Sequence, residues 1–163
     1  MNNFSLYKKT SMDEQIIGKL QFKNTNILTY IPYYEYIYRG HKSIMAETAD
    51  AVFRYATYLS NMRTKRGTLE FGLGDWCPVT VIKAPLEFTS SVIGMDILKK
   101  AAHMFGVIGM KLQKEFCDKL YGEIRDAVRK YLIDFKTMTA AGNCQTSQAM
   151  AIFFNVFEEG EKK

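Results

Sequence analysis

Apolar side chains recur at helical spacing along most of the chain, and this periodicity constrains its fold more than any other feature. The clearest pattern, with alternating steps of four and three residues, joins Met45, Ala49, Val52, Ala56 and Leu59. Such spacing places all of them on one face of a helix, where they can be buried together. We therefore predict a helix over residues 43–62, with Ser43 as its N-cap and the turn residues 64–67 after it.

Two further helices are predicted from apolar segments with natural ends. Residues 27–38 are almost entirely apolar or aromatic, and Gly40 follows as a stop signal. Another helix is expected to open near Thr89 or Ser90 and to stop at Gly106. Because both segments are largely apolar, we expect them to be buried on more than one side.

The carboxyl-terminal half contains a strongly amphipathic segment, residues 108–135, and an uncharged one, residues 145–157, separated by a loop over residues 136–144. The apolar stripe of the amphipathic segment consists of Leu112, Phe116, Leu120, Ile124, Val128, Tyr131 and Phe135. A strand signal is confined to residues 80–82, which is too short to found a sheet. The chain is therefore predicted to be all-α, with helical hairpins whose first, third and fifth helices form an inner layer wrapped by the others.

The net charge of +5 invites a nucleic-acid interpretation that the distribution of charge does not support. Twenty-two Lys and Arg oppose 17 Asp and Glu, and the basic residues occur in short groups rather than in a stripe. No run reaches the roughly 18 apolar residues of a membrane span, and no secretory signal is visible near the amino terminus. We expect either a cytoplasmic protein or one whose leader has been removed, and in both cases one that binds neither nucleic acid nor membrane.

The cysteines and histidines give no support to a metal site or a cofactor. Cys77, Cys117 and Cys144 are an odd number without CxxC spacing, which favours reduced thiols. His41 and His103 lie far apart and lack metal-ligand spacing. We expect no metal, no cofactor and no histidine-based catalytic triad.

A long loop over residues 68–88 carries the most informative motif, and loops of this length are often functional. Its residues 72–79 read GLGDWCPV and include Asp75 and the only tryptophan, Trp76. A carboxylate can accept hydrogen bonds from sugar hydroxyls, and an indole face offers an apolar platform for a sugar ring. A structural interpretation stands beside it, in which Trp76 plugs the end of the helical layers and Asp75 caps a turn.

These motifs resemble, in the same order along the chain, those of the bacterial α-L-rhamnosidases. Residues 33–59 look like the family's helix, tyrosine-rich turn and helix, and residues 71–78 are similar to its GLGDW loop. Residues 84–90 resemble its TPxELTS helix entry, and residues 145–151 resemble its SQTAQALA helix start. The resemblance covers residues 31–157 and implies part of an (α/α)6 barrel, which is built from six helical hairpins.

The resemblance implies roles for four residues. Trp76 would stack on or enclose a rhamnose ring, and Asp75 would bind the sugar hydroxyls or hold the loop. Gln145, at the start of the last inner helix, is a weaker candidate, because a glutamine at a helix start is more often a local cap. Glu87 would contact substrate or pair with a basic neighbour, and the structural role is favoured.

The family hydrolyses terminal α-L-rhamnosides with inversion, which requires a general acid and a general base roughly 6.5–9.5 Å apart. The resemblance places the acid motif upstream and the base motif downstream of the matched region, and neither is visible in this chain. Asp75 and Glu87 are the one in-chain pair proposed as a substitute, although nothing in the sequence sets their pKa values apart. We expect a glycosidase fragment that holds part of the rhamnose pocket and is inactive alone.

A second function class stays open, namely a non-catalytic helical-hairpin module for binding or scaffolding. On either interpretation residues 1–163 form one partial barrel domain, with an irregular segment over residues 1–26 and a charged tail over residues 158–163. A partial barrel would leave apolar faces of its first and fifth helices uncovered. Self-association into a homo-oligomer through these helices is therefore part of the hypothesis.

Overall fold

The computed structural model describes residues 27–72, 74–75 and 82–161. The helices of these residues are α1 (Ile27–Arg39), α2 (Ser43–Asn61), α3 (Leu86–Val107), α4 (Lys111–Leu132) and α5 (Gln145–Phe153). Two short antiparallel strands, β1 (Ile133–Asp134) and β2 (Thr139–Ala140), separate α4 from α5, and a 3-10 turn follows at Glu159–Glu161. The predicted helical fold is confirmed.

Helix α3 lies at the centre of the described structure and contacts each of the other four helices. Thirteen of its 22 residues are buried, and its exposed residues, Lys99, His103 and Gly106, lie on one side of its second half. Its largest fully buried side chains are Phe88, Met95, Ile97, Leu98, Met104 and Phe105. Because an α-helix surrounded by other elements must be apolar on most of its circumference, this explains the shortage of charge in its sequence.

Helices α1 and α3 run in the same direction. The Tyr30 hydroxyl donates a hydrogen bond to Asp96 Oδ2 over 2.8 Å, and the Tyr33 ring packs edge-on against His103 with centroids 5.5 Å apart. Residue numbers therefore increase together along the two helices. Helix α5 also contacts α3, while α2 and α4 contact α3 and each other, which matches the predicted inner and outer layers.

Only the middle of the predicted apolar stripe of α4 is buried. Leu120, Ile124 and Val128 lie in the core, whereas Leu112 is 75% exposed near the start of the helix. The predicted end at Phe135 is wrong, because the chain becomes extended directly after α4 and enters β1. The exposed stripe residues are thus the terminal ones, Leu112, Tyr131 and Phe135.

Helices α1 and α5 do not bury most of their apolar side chains in the described structure. The buried residues of α1 are Thr29 and Pro32, and those of α5 are Ser147 and Ala151. The exposed apolar residues of the two helices are Ile27, Leu28, Ile31, Tyr34, Ile37, Tyr38, Ile152 and Phe153. This agrees with the expectation that the first and fifth helices present uncovered apolar faces, whereas the expectation that residues 27–38 are buried on more than one side is wrong for the described structure.

The helix boundaries confirm one capping prediction and correct two. Gly40 ends α1 with a positive φ of 72° and donates its N–H to the Tyr36 carbonyl over 2.8 Å. The predicted N-cap Ser43 is wrong, because Lys42 occupies that position without a side-chain cap. The third helix begins at Leu86, earlier than predicted, since its serines bond to a neighbouring loop segment instead of capping the helix.

The strands β1 and β2 were not predicted, because each is two residues long and has no periodicity to detect. Gln148 of α5 fixes the second strand through both ends of its amide. The Ala140 N–H donates to Gln148 Oε1 over 3.0 Å, and Gln148 Nε2 donates to the Met138 carbonyl over 2.9 Å. The predicted strand signal at residues 80–82 falls almost entirely outside the described residues.

The segment that follows α5 packs back onto α4. Arg129 donates from both terminal nitrogens to Glu161, over 2.8 and 2.9 Å, and Arg125 Nε donates to the Asn155 carbonyl over 2.8 Å. The hydrogen bonds from Arg129 lower the pKa of Glu161 to about 2. Glu161 is therefore paired rather than freely solvated, while the domain bounds predicted from sequence stay a prediction.

Residues 1–26 of the predicted amino-terminal segment lie outside the described residues, as do residues 162–163 of the predicted tail. Among the helices that the structure describes, none combines the length and the hydropathy needed to cross a bilayer.

We predict that Gly94→Ala destabilises the protein whereas Gly122→Ala does not. A Cβ at Gly94 would collide with the end of the Leu69 side chain, which is completely buried, whereas a Cβ at Gly122 would meet no atom within 4 Å. Overpacking typically lowers the free energy of unfolding by about 1–3 kcal/mol. An alanine in an open helical position raises it by about 0.5–1 kcal/mol relative to glycine.

Urea unfolding followed by circular dichroism measures both variants against the wild type. Equal stability of the two variants would contradict the close packing of Leu69 on α3.

Candidate functional site

The segments that precede α3 and α5 meet at one end of the inner layer. Gly142, in the turn before α5, has a φ of 87°, and a Cβ built there would lie 2.5 Å from Pro85 Cδ and 3.1 Å from the Lys83 carbonyl oxygen. The turn before α5 therefore lies directly against the chain that enters α3. This contact brings the surroundings of three predicted site residues, Asp75, Glu87 and Gln145, to the same end of the molecule.

The stem of the long loop, residues 68–71, lies along the first turns of α3. The Leu69 N–H donates to Ser91 Oγ over 2.9 Å. The Phe71 N–H donates to Ser90 Oγ over 3.3 Å, and the Ser90 hydroxyl donates to the Phe71 carbonyl over 2.5 Å. Serine side chains of α3 thus bind the backbone of this stem.

Serines are suited to this position because, among the described residues, the stem pairs with another backbone segment in a single antiparallel bridge, between Arg63 and Leu69. Backbone N–H and C=O groups that are shielded from water need hydrogen-bond partners, and the backbone of an α-helix interior already uses its own. The side chains of Ser90 and Ser91 supply the missing donors and acceptors. Gly94, one turn further along α3, leaves room for the buried side chain of Leu69.

Asp75 closes the other side of the loop. Its Oδ2 accepts a hydrogen bond from the Ala84 N–H over 3.3 Å, and the neighbouring Gly74 lies against Leu86 at the start of α3. Asp75 therefore links its own position to the chain nine residues later. This contact is compatible with the expectation that Asp75 holds the loop. Asp75 as a whole is partly exposed to solvent.

Glu87 is engaged by its own neighbours. Thr68 Oγ1 donates to Glu87 Oε1 over 2.5 Å, and Arg66 Nη1 lies 3.8 Å from Glu87 Oε2. The side chain of Glu87 is 18% exposed. The geometry is that of the structural role favoured by the sequence, because Glu87 anchors the stem of the loop beside a basic residue.

Gln145 is exposed at the first position of α5, and the helix is capped by other residues. Ser147 Oγ lies 3.4 Å from Cys144 Sγ and accepts the Cys144 N–H over 3.5 Å. The capping role considered for Gln145 therefore belongs to Cys144 and Ser147. Gln145 is left as an exposed amide at the end of the inner layer where the two loops meet.

Trp76 lies outside the described residues, and so do Cys77 and Pro78. Its two interpretations, sugar platform or structural plug, stay predictions. The structure thus locates three of the four candidate residues, and it assigns local partners to Asp75 and Glu87.

The sequence analysis missed the residues of α3 that hold the loop. Glu87, Ser90, Ser91 and Gly94 are spaced i, i+3, i+4 and i+7, so they form a single stripe along α3 that faces residues 68–71. A stripe of small and polar residues in an otherwise apolar helix was the available signal. It was overlooked because Ser90 was interpreted as a helix start.

A second polar cluster lies between α1 and α3, away from the loops. Lys100 Nζ forms an ion pair with Asp96 and lies 5.3 and 5.5 Å from the ring centroids of Tyr30 and Tyr33. Burial, together with the charge of Asp96, raises the pKa of Tyr30 far above its ordinary value. Since every charge here has a partner, the cluster fixes α1 to α3 and does not resemble a free acid–base pair.

The described residues offer no group of three or more His, Cys, Asp or Glu side chains that could hold a metal ion. Cys117 is buried among apolar groups, and this burial raises the pKa of its thiol to about 12. A thiol with so high a pKa is a poor nucleophile at neutral pH.

We predict that Gly142→Ala destabilises the protein more than Gly109→Ala. Both glycines have positive φ, so alanine introduces backbone strain at either position, typically about 1–2 kcal/mol. At Gly109 nothing lies within 4 Å of the added Cβ, whereas at Gly142 it would also press on Pro85 and Lys83. Chemical unfolding of the two variants separates the cost of backbone strain from the cost of the clash. Equal losses of unfolding free energy would contradict contact between the two loops.

Comparisons with known proteins identify relatives of this architecture. A sequence model of the bacterial alpha-L-rhamnosidase 6 hairpin glycosidase domain matches residues 18–163. An alpha-L-rhamnosidase of Formosa agariphila is 33% identical over 49 residues, which are 30% of this chain and 5% of that protein.

The fold is similar to that of a Streptomyces avermitilis alpha-L-rhamnosidase crystallised with L-rhamnose. The TM-score is 0.73 at 19% identity, over 83% of this chain and 13% of that one. The chain therefore spans a small part of the length of these relatives. Its sequence match over residues 18–163 and its helical architecture lead to one conclusion: the chain belongs to the family of bacterial α-L-rhamnosidase six-hairpin glycosidase domains.

Proposed function

We propose that this chain forms part of a rhamnoside-binding pocket at the end of the inner layer where the loops before α3 and α5 meet. The observation that carries the proposal is the anchoring of the GLGDW loop on both sides, by Ser90 at the Phe71 stem and by Ala84 at Asp75. These two contacts hold Asp75 in a defined position, and precisely placed polar groups are what a ligand pocket requires. Membership of a rhamnosidase family and the L-rhamnose bound to the Streptomyces protein point to the sugar.

Hydrolysis by this chain alone is not part of the proposal. Inverting glycosidases require a carboxylic acid and a carboxylate on opposite faces of the sugar. Asp75 and Glu87, the pair considered from sequence, are each bound to local partners, Ala84 and Thr68. We therefore assign this chain a binding role, in which Asp75 accepts hydrogen bonds from sugar hydroxyls and Trp76 and Gln145 contact the ring.

We predict that L-rhamnose changes the fluorescence of this protein in a saturable manner and that Asp75→Asn weakens the binding. Trp76 is the only tryptophan of the chain, so its emission reports the loop without interference. The asparagine keeps an oxygen for the Ala84 N–H but lacks the charge that strengthens a bond to a hydroxyl. Loss of a charge-assisted bond is worth about 1.5–3 kcal/mol, so the affinity is expected to fall about ten-fold or more.

Glu70→Gln is the matched control, because Glu70 is an exposed carboxylate on the stem of the same loop. This variant should bind L-rhamnose like the wild type, and D-glucose should give no saturable signal. An aryl α-L-rhamnoside should release no phenol above the blank. Unchanged Trp76 emission at high-millimolar L-rhamnose would contradict the proposed binding of rhamnosides.

A second function, that of an interaction module, is favoured by the exposed face of α1. Ile27, Ile31, Tyr34 and Tyr38 have steps of four, three and four residues, which is the spacing of a coiled-coil seam. All four are more than 40% exposed. A depression of about 350 Å³ runs along this face, between the tyrosine side chains.

The partner that we propose for this seam is a second copy of the chain in antiparallel orientation. The four seam residues carry no charge, and the neighbouring Glu35 and Arg39 neutralise each other at 3.4 Å. Two copies therefore bring no unpaired like charges together when their seams meet. Apolar surface buried between helices is the principal source of stability in such contacts.

We predict concentration-dependent dimerisation that Ile31→Glu abolishes, because a carboxylate in the centre of the seam would be buried without a partner. Leu112→Glu is the matched control, since Leu112 is an exposed apolar residue on α4. It should leave the dimer intact. Analytical ultracentrifugation measures the association, and a monomer at every concentration would contradict this second function.

A further inference from the structure

Two serines of the stripe formed by Glu87, Ser90, Ser91 and Gly94 bind the loop stem in different surroundings. At its inner end, Ser91 is completely buried and bonds to Leu69, which is also completely buried. At its outer side, Ser90 bonds to Phe71, which is partly exposed and immediately precedes the loop residues 72–75. The first contact belongs to the core, whereas the second lies where the chain leaves it.

We propose that Ser90 is a positioning residue for the sugar-binding loop, an inference that rests on the proposed function. Its hydroxyl both accepts the Phe71 N–H and donates to the Phe71 carbonyl, over 3.3 and 2.5 Å. The two hydrogen bonds hold both the N–H and the C=O of Phe71. They thereby fix the direction in which the chain continues from this residue. Ser90 binds the backbone of the residue directly before Gly72, and the ring of that residue packs edge-on against Tyr58 of α2, with centroids 6.2 Å apart.

The geometry after this anchor explains why its loss affects the loop more than the core. Gly72 has a φ of 97°, a region that side chains rarely adopt, and a Cβ there would meet no atom within 4 Å. The described surroundings of Gly72 therefore do not restrain it through packing. The next described contact along the loop is that of Asp75 with Ala84, so the Ser90 and Asp75 anchors together set the position of the loop.

The test compares Ser90→Ala and Ser90→Cys with Thr57→Ala. Cysteine keeps the shape of the serine side chain with a somewhat larger terminal atom, and its thiol is a weak hydrogen-bond donor and acceptor, so it weakens the bonding without leaving a cavity. The Thr57 hydroxyl donates to the Phe53 carbonyl within α2, on an exposed surface. The control therefore removes a similar bond far from the loop.

Two readouts are independent of each other. Acrylamide quenching of Trp76 reports the loop environment without any sugar, and titration with L-rhamnose reports the affinity. Both Ser90 variants are expected to change the quenching constant and to weaken rhamnose binding about five-fold, the factor that one lost hydrogen bond gives. Thr57→Ala should change neither.

The outcomes distinguish this inference from the proposed function. If the wild type does not bind L-rhamnose, the proposed function fails, and a change in quenching in the Ser90 variants still supports positioning of the loop by Ser90. Unchanged quenching in both Ser90 variants overturns the inference, as does changed quenching with unchanged rhamnose affinity. Should Ser90→Ala fail to fold, the cysteine variant decides by the same criteria.

Discussion

The extensive burial of α3, with 13 of its 22 residues buried, is the constraint on which the rest of the described structure depends. A helix in contact with four others must be apolar around most of its circumference, yet the loop stem that also packs on it has backbone groups that need polar partners. The stripe with Glu87, Ser90 and Ser91 satisfies both demands, because serine is small enough for a buried surface and still carries a hydroxyl. The position of the candidate site follows from this compromise.

The parallel course of the inner helices brings the loops together. Since α1 and α3 run in the same direction and α5 follows a hairpin after α4, the segments before α3 and α5 emerge at one end, where Gly142 contacts Pro85. The carboxylates of this end have local partners, with Asp75 bound to Ala84 and Glu87 bound to Thr68. These contacts hold the two carboxylates against the loop and its stem.

The exposed apolar faces of α1 and α5 follow from their places in the layer of helices. The domain family is named for six hairpins, and the described residues form a layer with α3 in its interior and α1 and α5 at its two sides. An apolar helix at the side of such a layer keeps one face uncovered, which is why Tyr38 and Phe153 are largely exposed while α3 is buried. The two proposed functions use different parts of this layer, the loop end and the side.

The type and order of the helices in the described residues could be predicted from the sequence, because apolar periodicity depends on which face of a segment is buried. The Gly40 stop was also local information, since only the conformation at that residue was needed. Helix starts were less predictable. Lys42 takes the N-cap position that Ser43 was expected to fill, and α3 opens before Ser90 because that serine is used by the stem of the loop.

The sequence by itself determined that the chain is helical, that its fourth helix is amphipathic, and that Asp75 and Trp76 stand in a distinctive loop. Only the tertiary structure decided that Ser90 and Ser91 hold this loop, that Glu87 binds Thr68, and that Cys144 rather than Gln145 caps α5. The physical reason is the range of the interactions. Helical periodicity is set by residues three and four apart, whereas the partners of the buried polar groups in the loop stem lie about twenty positions away along the chain.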